Sequence, residues 1–241
     1  LVCEDNVWKL AADSIVAEVP LTVQGVIAAR LDRLQPNARR ILQEAAVIGK
    51  TFHLELLRRV TDLPGDLDAC LENLERLDFI RPGPPQPEPE YTFKHVLTQE
   101  VAYHRLLRRE RTLIHARVAQ VMEELLADRL PEFYEKLAYH FQRAGAVRKA
   151  VHYLLSAGEQ SLARYALEES HRCYQEAFDL LAAPARQGEE ERALLIGLLN
   201  RWAQVYQYSG YYKALNDLLQ AHEPLAESLP DKALKGMFYT W

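Results

Sequence analysis

FIRPGPPQPEPEYTF, residues 79–93, decides how this chain is read. Phe79-Ile80-Arg81 and Tyr91-Thr92-Phe93 are short apolar runs of strand-forming residues. Between them lies PGPPQPEP, residues 82–89, with five prolines in eight positions. Proline has no N–H to give to a ladder, so this stretch is an exposed hairpin tip and not a core strand. The rest of the chain carries helical patterns, so the hairpin is an insertion in an all-α background.

Upstream, residues 1–19 read as a linker with a strand or short helix. Pro20 opens an amphipathic helix whose apolar residues Val23, Val26, Ile27 and Leu31 recur at helical spacing, with Leu34 closing the stripe. Pro36 starts the next helix, with Ile41, Leu42, Ala45, Ala46 and Ile48 inward and Gly49 as its stop. A short helix follows over Leu54 to Val60. Asp66 caps another that carries Leu67, Cys70, Leu71, Leu74 and Leu77. Three helices followed by a β-hairpin give the outline of a winged helix. Beyond the hairpin, His95 to about Leu107 and Arg109 to about Ala127 are helical, and residues 107–132 read as continuous helix.

From Glu132 the pattern changes to helical hairpins. Leu137-Ala138-Tyr139-His140-Phe141, Ala144-Gly145, Ala150 and Tyr153 place small and aromatic residues around a glycine turn, as in tetratricopeptide (TPR) repeats. Trp202-Ala203, Tyr206, Gly210 and Ala214 repeat the theme, and 65 residues separate the two glycines (210 − 145), close to two repeats of ~34. Tyr165, Ser170, Tyr174 and Ala177 supply a degenerate middle unit. Val147 to Tyr165 reads as one long helix, with a kink near Gly158 as the alternative. The organisation is therefore 1–35, a linker and helix trailing an upstream domain; 36–130, a winged-helix-like domain with a helical extension; and 131–241, TPR-like repeats.

The bulk numbers fit this. The 241 residues suffice for one large domain or two ordinary ones, and 49% of them are apolar. A net charge of −5 argues against a chain built to coat nucleic acid. Cys3, Cys70 and Cys173 lie far apart without metal-ligand spacing, which fits reduced thiols and a cytoplasmic setting. No apolar run reaches the ~20 residues that span a bilayer. The chain starts at Leu1 and stops at Trp241 inside a helical pattern, so both ends are expected to be cuts in a longer protein.

The chemical motifs are sparse. Gly49-Lys50-Thr51 matches the tail of a phosphate-binding loop, but the glycine required five residues earlier is Glu44, whose carboxylate would repel phosphate. Glu100 and His104 sit four apart on one helix and lack a third metal ligand. RLLRRERTLIHAR, residues 105–117, holds five arginines and one glutamate, a local charge of +4 (5 − 1). It reads as a solvated helix face or, on the functional reading, as a patch for phosphate, an acidic partner or nucleic acid. Lys94 and His95 stand where a strand passes into a helix, a place that suits an anion, although a capping or packed histidine fits as well.

VPLTVQGVIAARLDRLQPNARRILQEAAVIGKTF (residues 19–52) and YTFKHVLTQEVAYHRLLRRERTLIHARVA (residues 91–119) resemble the segment after the NTPase core in bacterial STAND-type signalling ATPases. They are most similar to those fused to class III adenylate/guanylate cyclase domains. The resemblance implies a winged helix that folds onto the nucleotide-binding core and a TPR region that binds a protein partner. It implies that His95, in Phe93-Lys94-His95, contacts the diphosphate of the resting state beside Lys94. Related plant and apoptotic NTPases have an aspartate after this histidine, where this chain has Val96. ADP or ATP with Mg is the cofactor implied for the full-length parent. The phosphate loop, the magnesium-binding acid and the cyclase domain have no counterpart here, so the fragment is expected to be non-catalytic.

Overall fold

A computed structural model describes residues 2–4, 7–9, 22–63, 65, 67–84, 89–182 and 188–241. The proline-rich tip beyond residue 84, the Asp66 cap and the Pro20 start lie outside the described residues. The chain is mostly helical, with a short antiparallel pair at Val2–Glu4 (β1) and Val7–Lys9 (β2).

Helix α1 (Val23–Asp32) starts at Thr22, whose hydroxyl accepts from Gly25 N at 3.1 Å. It buries Ile27 and Leu31, but Val23 and Val26 are 68% and 44% exposed. The spacing places all four inward; among the described residues only one side of this helix is covered, and periodicity cannot tell which. Helix α2 (Pro36–Ile48) has Pro36 in its first turn and buries Ala38, Ile41, Leu42, Ala45 and Val47. Arg39 reaches back to the carbonyls of Leu31, Asp32 and Leu34 around the C-terminus of α1. Gly49 ends α2 at φ 146°, a conformation that side-chain-bearing residues avoid.

A strand then follows that the pattern did not reveal. Thr51–His53 (β3) precedes α3 (Leu54–Val60) and α4 (Leu67–Arg76). Ile80–Pro82 (β4) and Glu90–Phe93 (β5) are the two arms of the hairpin, and β5 lies between β3 and β4 in one antiparallel sheet. Phe52 of β3 stacks on Tyr91 and meets Phe93 edge-on, which seals the sheet against the helices.

Helix α5 (Val96–His104) leads to α6 (Arg108–Leu125). The continuous helix expected over 107–132 breaks at Leu126, and Ala127–Glu132 is a 3-10 segment with Arg129 at non-helical angles. Then come α7 (Tyr134–Arg143), α8 (Val147–Ala163), α9 (Leu167–Leu181), α10 (Glu189–Tyr208), α11 (Tyr212–Glu227) and α12 (Lys232–Phe238). Gly145, Tyr165 and Gly210 close α7, α8 and α10 in the left-handed conformation. In each turn the next N–H bonds back five residues: Ala146 to Phe141, Ala166 to Ser161, Tyr211 to Tyr206. Gly145 and Gly210 are three helices apart, whereas a two-helix repeat returns to an equivalent turn only after an even number of helices. Their 65-residue spacing does not mark equivalent positions (210 − 145).

Helix α8 runs unbroken through Gly158, because that glycine faces the Tyr174 ring; a Cβ there would come within 2.7 Å of it. Ser170 Oγ donates to the Gly158 carbonyl at 2.8 Å. Two apolar cores result. One gathers Ile27, Leu31, Ile41, Leu42, Leu57, Leu71, Phe52 and Phe93; the other runs along α6–α12 and also takes in Val47, Leu56 and Val60 from α2 and α3.

Candidate functional site

Lys94 and His95 stand together where β5 passes into α5. Phe93 is buried and anchors the strand, and Lys94 N donates to the Phe79 carbonyl at 3.0 Å. Lys94 Nζ lies 2.5 Å from Asp78 Oδ2. Asp78 itself is left-handed, at φ 64°, where an aspartate fits better than most residues. Its carboxyl is held below the usual range by the Lys94 hydrogen bond first, with the charges of Lys94, Arg30 and His95 adding to it. Arg30 lies over the Phe79 ring at 4.7 Å and donates to the Leu77 carbonyl at 2.7 Å. The place therefore holds Arg30, Lys94 and His95 around one carboxylate.

His95 is extended, at φ −132°, and exposed; its carbonyl accepts from Thr98 N, but its side chain caps no N–H of α5. No acidic residue occupies the first turn of α5, so the positive end of the helix is uncompensated there. Val96 beside it is 46% exposed.

The other sequence candidates are dispersed. Gly49-Lys50-Thr51 leaves a helix and enters a strand, whereas a phosphate loop leaves a strand and enters a helix. The Lys50 carbonyl accepts from Phe93 N, and Thr51 Oγ1 meets Thr92 Oγ1 at 3.1 Å. Glu44 is 1% exposed, on the inward face of α2, paired with Arg40 Nε at 2.8 Å. Burial raises its carboxyl, and the Thr61 hydroxyl and Arg40 partly offset that. His104 Nδ1 lies 3.3 Å from Arg111 Nη1, so its lone pair faces a guanidinium. No cluster of three metal-ligating side chains occurs among the described residues.

The arginine run of residues 105–117 is divided. Arg105 pairs with Asp32; Arg117 donates to Asp62 Oδ1 at 2.6 Å and to the Val60 carbonyl at 2.7 Å. One arrangement had no sequence signal. His115 of α6 and His140 of α7, 25 residues apart, are both buried, and their Nδ1 atoms lie 2.9 Å apart.

Against known proteins the chain gives little. No protein-family model matches it, and no solved structure matches it. It is similar to an uncharacterized protein of Rhizobium meliloti (strain 1021), 29% identical over 179 residues, which are 73% of this chain and 17% of that protein. The chain thus corresponds to about a sixth of the length of that relative.

Proposed function

We propose that this chain is a non-catalytic regulatory and protein-interaction segment of a larger STAND-type signalling ATPase, of the kind fused to class III nucleotide cyclases. On this reading α2–α5 and the sheet form a winged-helix-like unit that senses the nucleotide state of an upstream core. Helices α7–α12 form a TPR-like array that takes a protein partner. ADP or ATP with Mg belongs to the parent's core, and the setting is cytoplasmic.

The observation that carries the reading is His95: exposed, capping nothing, at an uncompensated helix start beside Lys94. Exposed Val96, Val23 and Val26 add apolar surface that a docked core would cover. The alternative, a DNA-binding winged helix, meets an obstacle at α4. Its exposed residues include Asp68, Glu72 and Glu75 against Arg76, and such a face repels phosphates.

The test is His95→Ala in the full-length parent. A charged hydrogen bond lost from the resting state should speed ADP release about ten- to a hundredfold and raise basal output. The melting temperature of the 241-residue chain should stay unchanged. An unaltered ADP off-rate would sink the sensing role, and a low-salt gel shift by the chain would favour the DNA-binding alternative.

A further inference from the structure

Three arginines of the 105–117 run, Arg108, Arg109 and Arg111, are not absorbed by ion pairs among the described residues, and two of them share a cleft. Arg108 and Arg111 lie one turn apart on one face of α6 and border a cleft of about 370 Å³. Arg143, at the end of α7, lines it too, with Tyr103, Thr112 and Gln142. His115 forms part of the lining. Among the described residues no aspartate or glutamate borders this cleft, although the chain carries 34 of them. Neighbouring Arg40, Arg105 and Arg117 each reach a carboxylate; among the described residues Arg108, Arg111 and Arg143 reach none.

Two of the three guanidiniums are held by ring faces. Arg111 lies over Tyr103 at 5.0 Å and Arg143 over Tyr139 at 5.3 Å. Stacking leaves a guanidinium's in-plane N–H edge available to an oxyanion; Arg111 spends one N–H, on Nη1, on His104 Nδ1 at 3.3 Å, which leaves its other N–H groups for an anion. The Tyr103 hydroxyl is positioned by His115 Nε2 at 3.1 Å, behind which stands His140. Three like charges around one concavity repel one another, and a bound anion removes that repulsion. Guanidinium forks match the oxygens of phosphate, and the volume is that of a small-ligand pocket.

We propose that this cleft binds the phosphate group of a small molecule, held by Arg108, Arg111 and Arg143. The site is separate from His95 and does not depend on the reading given for it. The phosphate comes either as the free ion or as an ester, and the two are separable by experiment.

Calorimetric titration of the 241-residue chain with inorganic phosphate and with ribose 5-phosphate at low salt tests this, with citrate as a carboxylate control. Saturable one-to-one binding of both phosphates, in competition with each other, is expected. Tighter binding of the sugar phosphate identifies an ester ligand, and equal binding identifies the free ion; both uphold the site. Arg108→Ala and Arg143→Ala, at exposed positions, should each weaken binding about tenfold or more. Arg109→Ala, on the same helix but outside the cleft, should leave it unchanged, and circular dichroism confirms that each variant is folded. No saturable phosphate binding overturns the proposal. So does equal weakening by Arg109→Ala, which would mean diffuse surface charge, and so does citrate binding as tightly as either phosphate.

Discussion

His115 and His140 share a single Nδ1–Nδ1 hydrogen bond of 2.9 Å, so one ring must donate and the other accept, and a fully protonated pair cannot keep it. Burial pushes His115 down to about 4, with Arg143 and Arg111 adding to it, and pushes His140 down to about 3, with His115 and Lys136 adding. Tyr103 and Tyr139 face the pair without supplying a negative charge.

Both histidines are neutral when folded and take up protons near 6.5 once unfolded. The unfolded chain thus binds more protons between that value and about 4, and stability falls as pH drops through this window. The limiting slope is roughly 1.4 kcal/mol per pH unit for each histidine. Urea midpoints should fall from about pH 7 to about pH 5, and His115→Gln with His140→Gln should flatten that fall. An equally steep fall in the double variant would remove the pair as its cause.

Gly158→Ala should destabilise the chain. In an ordinary helix interior this change gains about 1 kcal/mol. Here the new methyl meets the buried Tyr174 ring at 2.7 Å, and overpacking of that kind costs about 1–3 kcal/mol. Tyr174→Leu should make the two changes non-additive, read as a coupling in chemical denaturation.

Tyr165→Gly should stabilise the chain by up to about 1 kcal/mol, because a tyrosine at φ 58° carries the left-handed penalty that Gly145 and Gly210 escape. Tyr165→Ala keeps the penalty and loses the ring contact with Tyr208 at 6.1 Å, so it should be neutral or worse. A lower melting temperature for the glycine variant would show that the ring contact outweighs the backbone.

Arg40→Ala strands the Glu44 carboxylate in the α2 core. The cost should be about 2 kcal/mol at pH 7, below that of a fully buried pair because Arg40 is 35% exposed. Glu44 is already raised above its ordinary value, so its penalty for ionising is present at high pH and fades as pH falls and it protonates. The gap between variant and parent should therefore narrow in mild acid. Adding Glu44→Gln should recover part of the loss.

Much of the fold was legible because breakers and helical spacing coincide. Leu54–Val60 and the unbroken α8 follow from residues whose neighbours in sequence are also their neighbours in space. Strand β3 was not legible. Thr51-Phe52-His53 is too short to show alternation and is defined by its pairing with Tyr91 and Thr92, some forty residues away. The outward turn of Val23 and Val26 was hidden because a stripe shows that a helix has an apolar side but not how much of it is covered. Lys94 and His95 were legible as a strand-to-helix junction, but their partner Asp78 was not, since a left-handed aspartate leaves no pattern. The arginine cleft needed Arg143, which no spacing rule ties to Arg108 and Arg111.

Val47, Leu56 and Val60 belong by sequence to the first half of the chain and by packing to the second core. A recombination event that cut near residue 131 would sever the α7–α12 array from α6 and from these three side chains, and would expose both faces. Exchange between such proteins is tolerable only where the graft carries α6 with the array and meets a compatible α2 and α3. The unit of inheritance here is larger than the unit of repetition, so shuffled relatives should change α3, α6 and α7 together.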